Sequence, residues 1–248
     1  MEMELKYVVG GLLAVSGGVL ALNGFINANQ EYINLGIAGM FLSAIVLIIK
    51  SSKYVKKESL DIILKSQKEV FNNLLNNLKL EGNAIYIPPY ENLPSGGIFI
   101  PLHENFDIDL ARFDEGTLFL TDVPNEKAMG LLMASLGKEL LKKYEEHLEA
   151  SVSSVPDVES AASSVLKTLG LANRVYIEEN GEDLRVIVDP EFSCEPNGCE
   201  KLPCPICASI FLGLAKATNQ LISIQNFQKK EHGIEITAKK IGGVREWM

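Results

Sequence analysis

The sequence predicts an α+β protein: an N-terminal transmembrane helical hairpin, an amphipathic connector helix, then antiparallel β-hairpins packed with helices. Three observations predict this. Two apolar runs near the N-terminus are almost free of charge, a 3.6-residue apolar period follows them, and two later pairs of alternating segments meet at glycine-containing turns.

The hairpin comes first. Between Lys6 and Lys50 the only charged side chain is Glu31, flanked by Tyr7 to Gln30 and Tyr32 to Ile49, both dominated by Val, Leu, Ile, Ala and Gly. A helix needs about 20 apolar residues to cross roughly 30 Å of hydrocarbon. Asn27, Asn29, Gln30, Glu31 and Asn34 form the polar turn between the runs. A cleaved secretion signal fits less well, because Glu2 and Glu4 outnumber Lys6 ahead of the first run and that run exceeds a signal core in length.

Lys50, Lys53, Lys56 and Lys57 crowd the exit of the second run, and the turn has no lysine or arginine. The positive-inside bias then predicts a two-pass protein of the cell membrane with both termini cytoplasmic. Gly10, Gly11, Ala14, Gly17, Gly18 and Ala21 recur at three- and four-residue intervals, as do Gly36, Gly39 and Ser43. Such small residues let helix backbones approach closely, which favours self-packing of the hairpin, with a homodimer as the alternative use of the same surface. No charge lies within either span, so an ion path or proton relay has no carrier.

Residues 1–57 hold five lysines against three glutamates, net +2; the whole chain is −9, so the remainder carries −11. So acidic a domain is not expected to bind nucleic acid, where lysine and arginine must neutralise phosphates. The expected partners are the lipid bilayer and a protein or small molecule.

From Val55 to Leu80 the pattern is an amphipathic helix. Leu60, Ile63, Leu64, Val70, Phe71, Leu74, Leu75 and Leu78 fall on one side, Glu58, Lys65, Lys68, Glu69, Asn72, Asn73 and Asn76 largely opposite, and Gly82 ends it. Packing against its own domain is expected rather than a coiled coil, because the apolar face lasts only about three heptads.

Ala84–Ile87, Gly97–Ile100 and Thr117–Leu120 read as short strands separated by proline and glycine. Helical periodicity returns over Asn125–Leu148, and Ala150–Pro156 is a serine-rich loop. Asp157–Leu171 is helical. Arg174–Glu179 and Glu182–Asp189 form a hairpin at Asn180-Gly181, the strongest short hairpin signal. Cys204–Asn219 reads as an apolar helix, followed by a second hairpin of Leu221–Lys229 and Ile234–Ile241 turning at Glu231, His232 and Gly233. The expected organisation is a transmembrane hairpin over 1–52, the connector helix over 53–82, a first α+β subdomain over 83–150 and a second over 151–248. One face of the antiparallel sheet should be covered by helices.

One chemical cluster stands out. Cys194, Cys199, Cys204 and Cys207 are the only cysteines and follow a C-x4-C-x4-C-x2-C spacing in one loop and helix start. In a reducing cytoplasm clustered thiols bind metal more often than they pair. Pro196, Gly198 and Pro203 break the loop so that four thiolates can turn toward one ion, and a structural zinc is the simplest such site. Disulfides or unmetallated thiols remain an alternative. Cys199, Cys204 and Cys207 match the ligand run of plant-type iron–sulfur ferredoxins, although the spare cysteine precedes the run here. Cys204-Pro205-Ile206-Cys207 resembles a glutaredoxin active site, but too little chain follows for the rest of that fold.

No catalytic constellation emerges. His103, Glu104 and Asp107 follow a strand without a second histidine or nucleophile argued to lie near them, and read as a solvated loop. His147 suits a helix end and His232 a turn.

The order of hairpin and connector, then "AIYIPP", "GIFIPLHENFDI", "LFLTDVPNEKAMGLLMASLGKELLKKYEEHL" and "ASIFLGLAKATNQLISI", resembles a family of uncharacterised archaeal membrane proteins. The resemblance implies a cytoplasmic α+β domain tethered to the membrane and supplies no activity. The expectation is a non-enzymatic binding or scaffold protein with a structural metal site of four cysteines. A membrane-attached redox protein using an iron–sulfur centre or reactive dithiol is the alternative.

Overall fold

A computed structural model describes residues 5–48, 57–121, 125–192, 198–231 and 233–248. The chain divides into two units, Met1–Val55 and Lys56–Met248.

The first unit is a helical hairpin of α1 (Leu5–Ile26) and α2 (Gln30–Ile48). Asn29 makes the turn, its side-chain oxygen accepting from the backbone N–H of Glu31 at 3.0 Å, so an orphan donor of α2 is satisfied. The helices meet through their small residues: a Cβ on Gly17 would stand 2.8 Å from the Met40 nitrogen, and Ser43 Oγ donates to the Gly10 carbonyl at 2.7 Å. Gly11 and Gly18 face away from this contact. Both helices are long and apolar enough to cross a membrane, over Tyr7–Ile26 and Gln30–Ile48. Their large side chains are bare, Phe25 being 79% exposed and Phe41 69%.

The second unit begins with α3 (Lys57–Asn77), followed by β1 (Ile85–Ile87), β2 (Gly97–Pro101), β3 (Phe119–Leu120) and β4 (Gly130–Met133). Helices α4 (Lys138–Leu148) and α5 (Val155–Thr168) come next, then β5 (Ala172–Asn180), β6 (Asp183–Pro190), α6 (Pro205–Thr218), β7 (Gln220–Lys230) and β8 (Gly233–Gly243). The strands form one antiparallel sheet in the order β3-β4-β2-β1-β7-β8-β6-β5. The fold is therefore α+β, as the sequence predicts. Strands from residues 83–150 and 151–248 share this sheet, with β1 pairing β7 at the seam.

Alternation sorts the side chains onto two faces. Tyr86, Ile98, Ile100, Leu131, Ile222, Ile224, Val186 and Ile236 point to the face covered by helices, where α6 lies on β1 and β7, and α5 on β5. Helix α6 is buried all round from Ile206 to Ala215, which explains why its sequence is apolar without a polar stripe. Ile85, Ile87, Phe99, Leu132 and Leu221 point the other way into a second core, closed by Ile108, Leu110 and Phe113 and by the C-terminal Val244 and Trp247. Helices thus cover one face, and loops cover the second face of the β1–β4 half as well. Trp247 is built in: Leu110 donates its N–H to the Trp247 carbonyl at 3.0 Å, and Trp247 Nε1 donates to Ile241 at 2.9 Å.

The hairpins match the expected segments, with Gly181 at φ +63° in the first turn. Helix α5 starts at Val155, and Ser154 from the serine-rich stretch caps it by accepting from the Asp157 N–H. Three readings need correction. Asn125–Leu148 is not one helix: Gly130–Met133 is strand β4, held between β2 and β3, and only Lys138–Leu148 is helical. The Gly-Leu-Leu-Met run is buried on both faces and so has no alternation to distinguish it from a helix. Helix α3 ends at Asn77 rather than Gly82, with Lys79 left-handed at φ 54° and Leu80 N–H bonded back to the Leu75 carbonyl. Finally, α3 is rotated about its axis. Leu60, Leu64, Phe71, Leu75 and Leu78 pack inward, but Ile63, Val70 and Leu74 are exposed and Lys68 is half-buried.

Candidate thiol site and adjoining cavity

Three of the four cysteines come together where the loop after β6 enters α6. Cys204 is the N-cap of α6, with Pro205 supplying a first helical position that needs no N–H donor. Cys207 follows one turn later, buried at 2% exposure, and its thiol is hydrogen-bonded to that of Cys204. Cys199 is also buried, at 2%. Cys194 and its neighbours 193–197 lie outside the described residues, as does His232.

The loop is pinned to the start of the sheet. Ala84 donates its N–H to the Glu200 carbonyl at 2.9 Å, and Lys201 Nζ donates to the Leu80 carbonyl at 2.6 Å. From α3, Lys68 Nζ donates to Cys199 Sγ at 3.6 Å. A cation beside a sulfur favours the thiolate.

Two tyrosines complete the surroundings. Tyr86 on β1 packs its ring 5.7 Å from that of Phe211 and is fully buried. Its hydroxyl has no hydrogen-bond partner among the described residues. Burial pushes its pKa well up, and Cys207, Cys204 and Cys199 add to the shift, so the phenol lies within electrostatic reach of all three sulfurs. Tyr144 on α4 is paired instead. Ser209 gives its one proton to the Ile206 carbonyl at 2.6 Å, so in the 2.6 Å contact between Tyr144 and Ser209 the phenol is the donor. Burial raises the Tyr144 pKa. For Cys207 the bond to Cys204 comes first, then burial, then the charge of Cys204 and Cys199, all raising its pKa.

Among the described residues no group of three or more His, Cys, Asp or Glu side chains is arranged to hold a metal ion. A cavity of about 360 Å³ opens beside the thiols, with Cys199 and Cys204 in its wall and α3 opposite. The other histidine and carboxylate candidates form no site among the described residues. His103 and Glu104 are exposed, and His103 Nδ1 lies 3.6 Å from Glu81 Oε2 across solvent.

Sequence reasoning named the cysteines but missed Lys68, Tyr86 and Tyr144. Lys68 had a readable signal, since Leu64, Lys68, Phe71 and Leu75 repeat at 4-3-4 spacing on one helical stripe. Tyr86 and Tyr144 had none, because only β1–β7 pairing and helix packing bring them to a loop more than fifty residues away.

No curated protein matches the sequence. Residues 3–239 match DUF7982, a domain of unknown function, and since that match spans nearly all of the α+β fold and both apolar helices, the chain belongs to this family.

Proposed function

We propose that this is a membrane-anchored, non-enzymatic binding or scaffold protein whose four cysteines form a structural zinc clip. The anchor is supported by physics. Two apolar helices whose side chains are bare would be costly in water, as each large residue exposed there forfeits about 1.5–3 kcal/mol of burial. The lysines at 50–57 favour a two-pass arrangement with both termini cytoplasmic, and the resemblance noted above favours an archaeal membrane protein.

The observation that supports the clip is the nearness of three cysteines, with Cys204 bonded to Cys207 and Cys199 within electrostatic reach of Cys207, while Lys68 donates to the Cys199 sulfur and the buried Tyr86 hydroxyl, without a partner among the described residues, lies within electrostatic reach of all three. Donors around sulfur suit metal-bound thiolates, whose outer partners tune affinity. Cys194, the remaining cysteine of the sequence, is the fourth ligand on this reading, since zinc needs four soft ligands and no open position. The bond between Cys204 and Cys207 favours one other reading, a dithiol at a helix start.

Metal analysis with thiol titration on full-length protein, purified anaerobically under reducing conditions, separates the readings. The clip predicts one zinc per chain, a colourless product, and a lower melting temperature after chelation. A metal-free preparation whose melting is unchanged by chelator overturns it. A brown, visibly absorbing product would instead identify an iron–sulfur centre, and rapid reversible oxidation of two thiols the dithiol.

A further inference from the structure

The cavity beside the cysteines carries a chemistry of its own. Its volume of about 360 Å³ sits at the lower end of the roughly 300–1,000 Å³ common for ligand sites. Leu64 and Phe71 from α3, Leu136 from before α4, and Phe192 and Leu202 from the loop side make an apolar wall. Lys65 and Lys68 also line it, with Asp61 the one carboxylate among the described lining residues. The described lining thus carries two lysines to one carboxylate, within a region whose net charge is −11. Net repulsion keeps anions away from such a surface in general, so two lysines gathered on an apolar hollow mark the place where an anion is admitted.

We propose that this cavity binds a single-chain amphiphile with one anionic head, such as a medium-chain carboxylate. The head lies against Lys65 and Lys68, and the chain runs along the apolar wall. The size excludes a folded peptide, and apolar side chains outnumber the polar Asp61, Lys65, Gln67, Lys68 and Asn72 in the described lining, which favours a ligand that is mostly hydrocarbon. Lys68 then reaches the ligand head in addition to the Cys199 sulfur at 3.6 Å, its ammonium having three donors to share. This inference names the ligand of the anchored binding protein proposed above and rests on that reading, but not on its zinc.

The test uses the full-length protein in nanodiscs of zwitterionic lipid, photolabelled with a diazirine-bearing decanoic acid and mapped by peptide mass spectrometry. Labelling is expected within residues 61–72 and 198–205, competed by decanoate but not by decanol or decylamine. Lys65→Glu, at an exposed position with no packing to lose, should weaken labelling about tenfold through loss of one charge-assisted contact. Lys68→Met should do the same. Label confined to α1 and α2, equal competition by decanol, or undiminished labelling of Lys65→Glu overturns the proposal. Zinc content measured on the same samples keeps the two readings apart: mapped, competed labelling of a metal-free protein removes the clip and leaves the ligand site.

Discussion

The two halves of the sheet are built on different principles. Strands β5–β8 run 8 to 11 residues, pair in long hairpins and, beyond the start of β7 at the seam, bury one face, leaving Arg185, Thr237 and Lys239 on the other. Strands β1–β4 run only 2 to 5 residues, but β1, β2 and β4 are covered on both faces, with Phe99 at 0% exposure and its ring 5.1 Å from that of Phe113. Hairpin registry organises the first half. In the second, short strands are held by what packs on them, so its stability belongs to contacts distant in sequence.

Substitutions break or sharpen this contrast. The largest effect is expected for Phe99→Ala, which empties the second core and should cost about 3–5 kcal/mol, read as a lowered melting temperature of the full-length protein in mild detergent. Hydrogen exchange should accelerate in β1, β2 and β4 well before β5 and β6. Tyr86→Phe comes next and has a sign that depends on metal. In metal-free protein it removes a buried hydroxyl lacking a partner among the described residues and should stabilise by roughly 1–3 kcal/mol. In zinc-loaded protein it should instead weaken zinc binding about tenfold or more, measured by competition with a chelator. Gly181→Ala, forced to φ +63° in the β5–β6 turn, should cost about 1–2 kcal/mol and open exchange in β5 and β6 first. Thr237→Ala, on the exposed face of β8, should move the midpoint by less than about 0.5 kcal/mol. If Phe99→Ala opened both halves at once, the contrast would be wrong.

The same contrast explains what the sequence disclosed. The β5–β8 half was legible because Asn180-Gly181 and Gly233 mark turns and one-sided burial leaves alternation to read. In the other half, β4 was hidden inside an apparent helix, because Leu131 and Leu132 enter opposite cores and both are apolar. Helix α3 offered two overlapping apolar stripes, one through Ile63, Val70 and Leu74 and one through Leu64, Phe71 and Leu75. The second stripe is the one that packs on the core, which brings Lys68 to the Cys199 sulfur. The thiol site was legible in its cysteines, which cluster in sequence, and silent about Tyr86, whose place depends on the pairing of Ile85 and Tyr86 with Ser223 and Ile222.

The bonding of Trp247 to Leu110 and Ile241 has a practical sequel for anyone testing the proposed orientation across a bilayer. A fluorescent or enzymatic fusion joined directly at Met248 would begin one residue from a side chain that seals an interior, and could pry it open. A loss of signal would then report damaged protein rather than the wrong side of the membrane, so such a reporter calls for a flexible glycine–serine spacer.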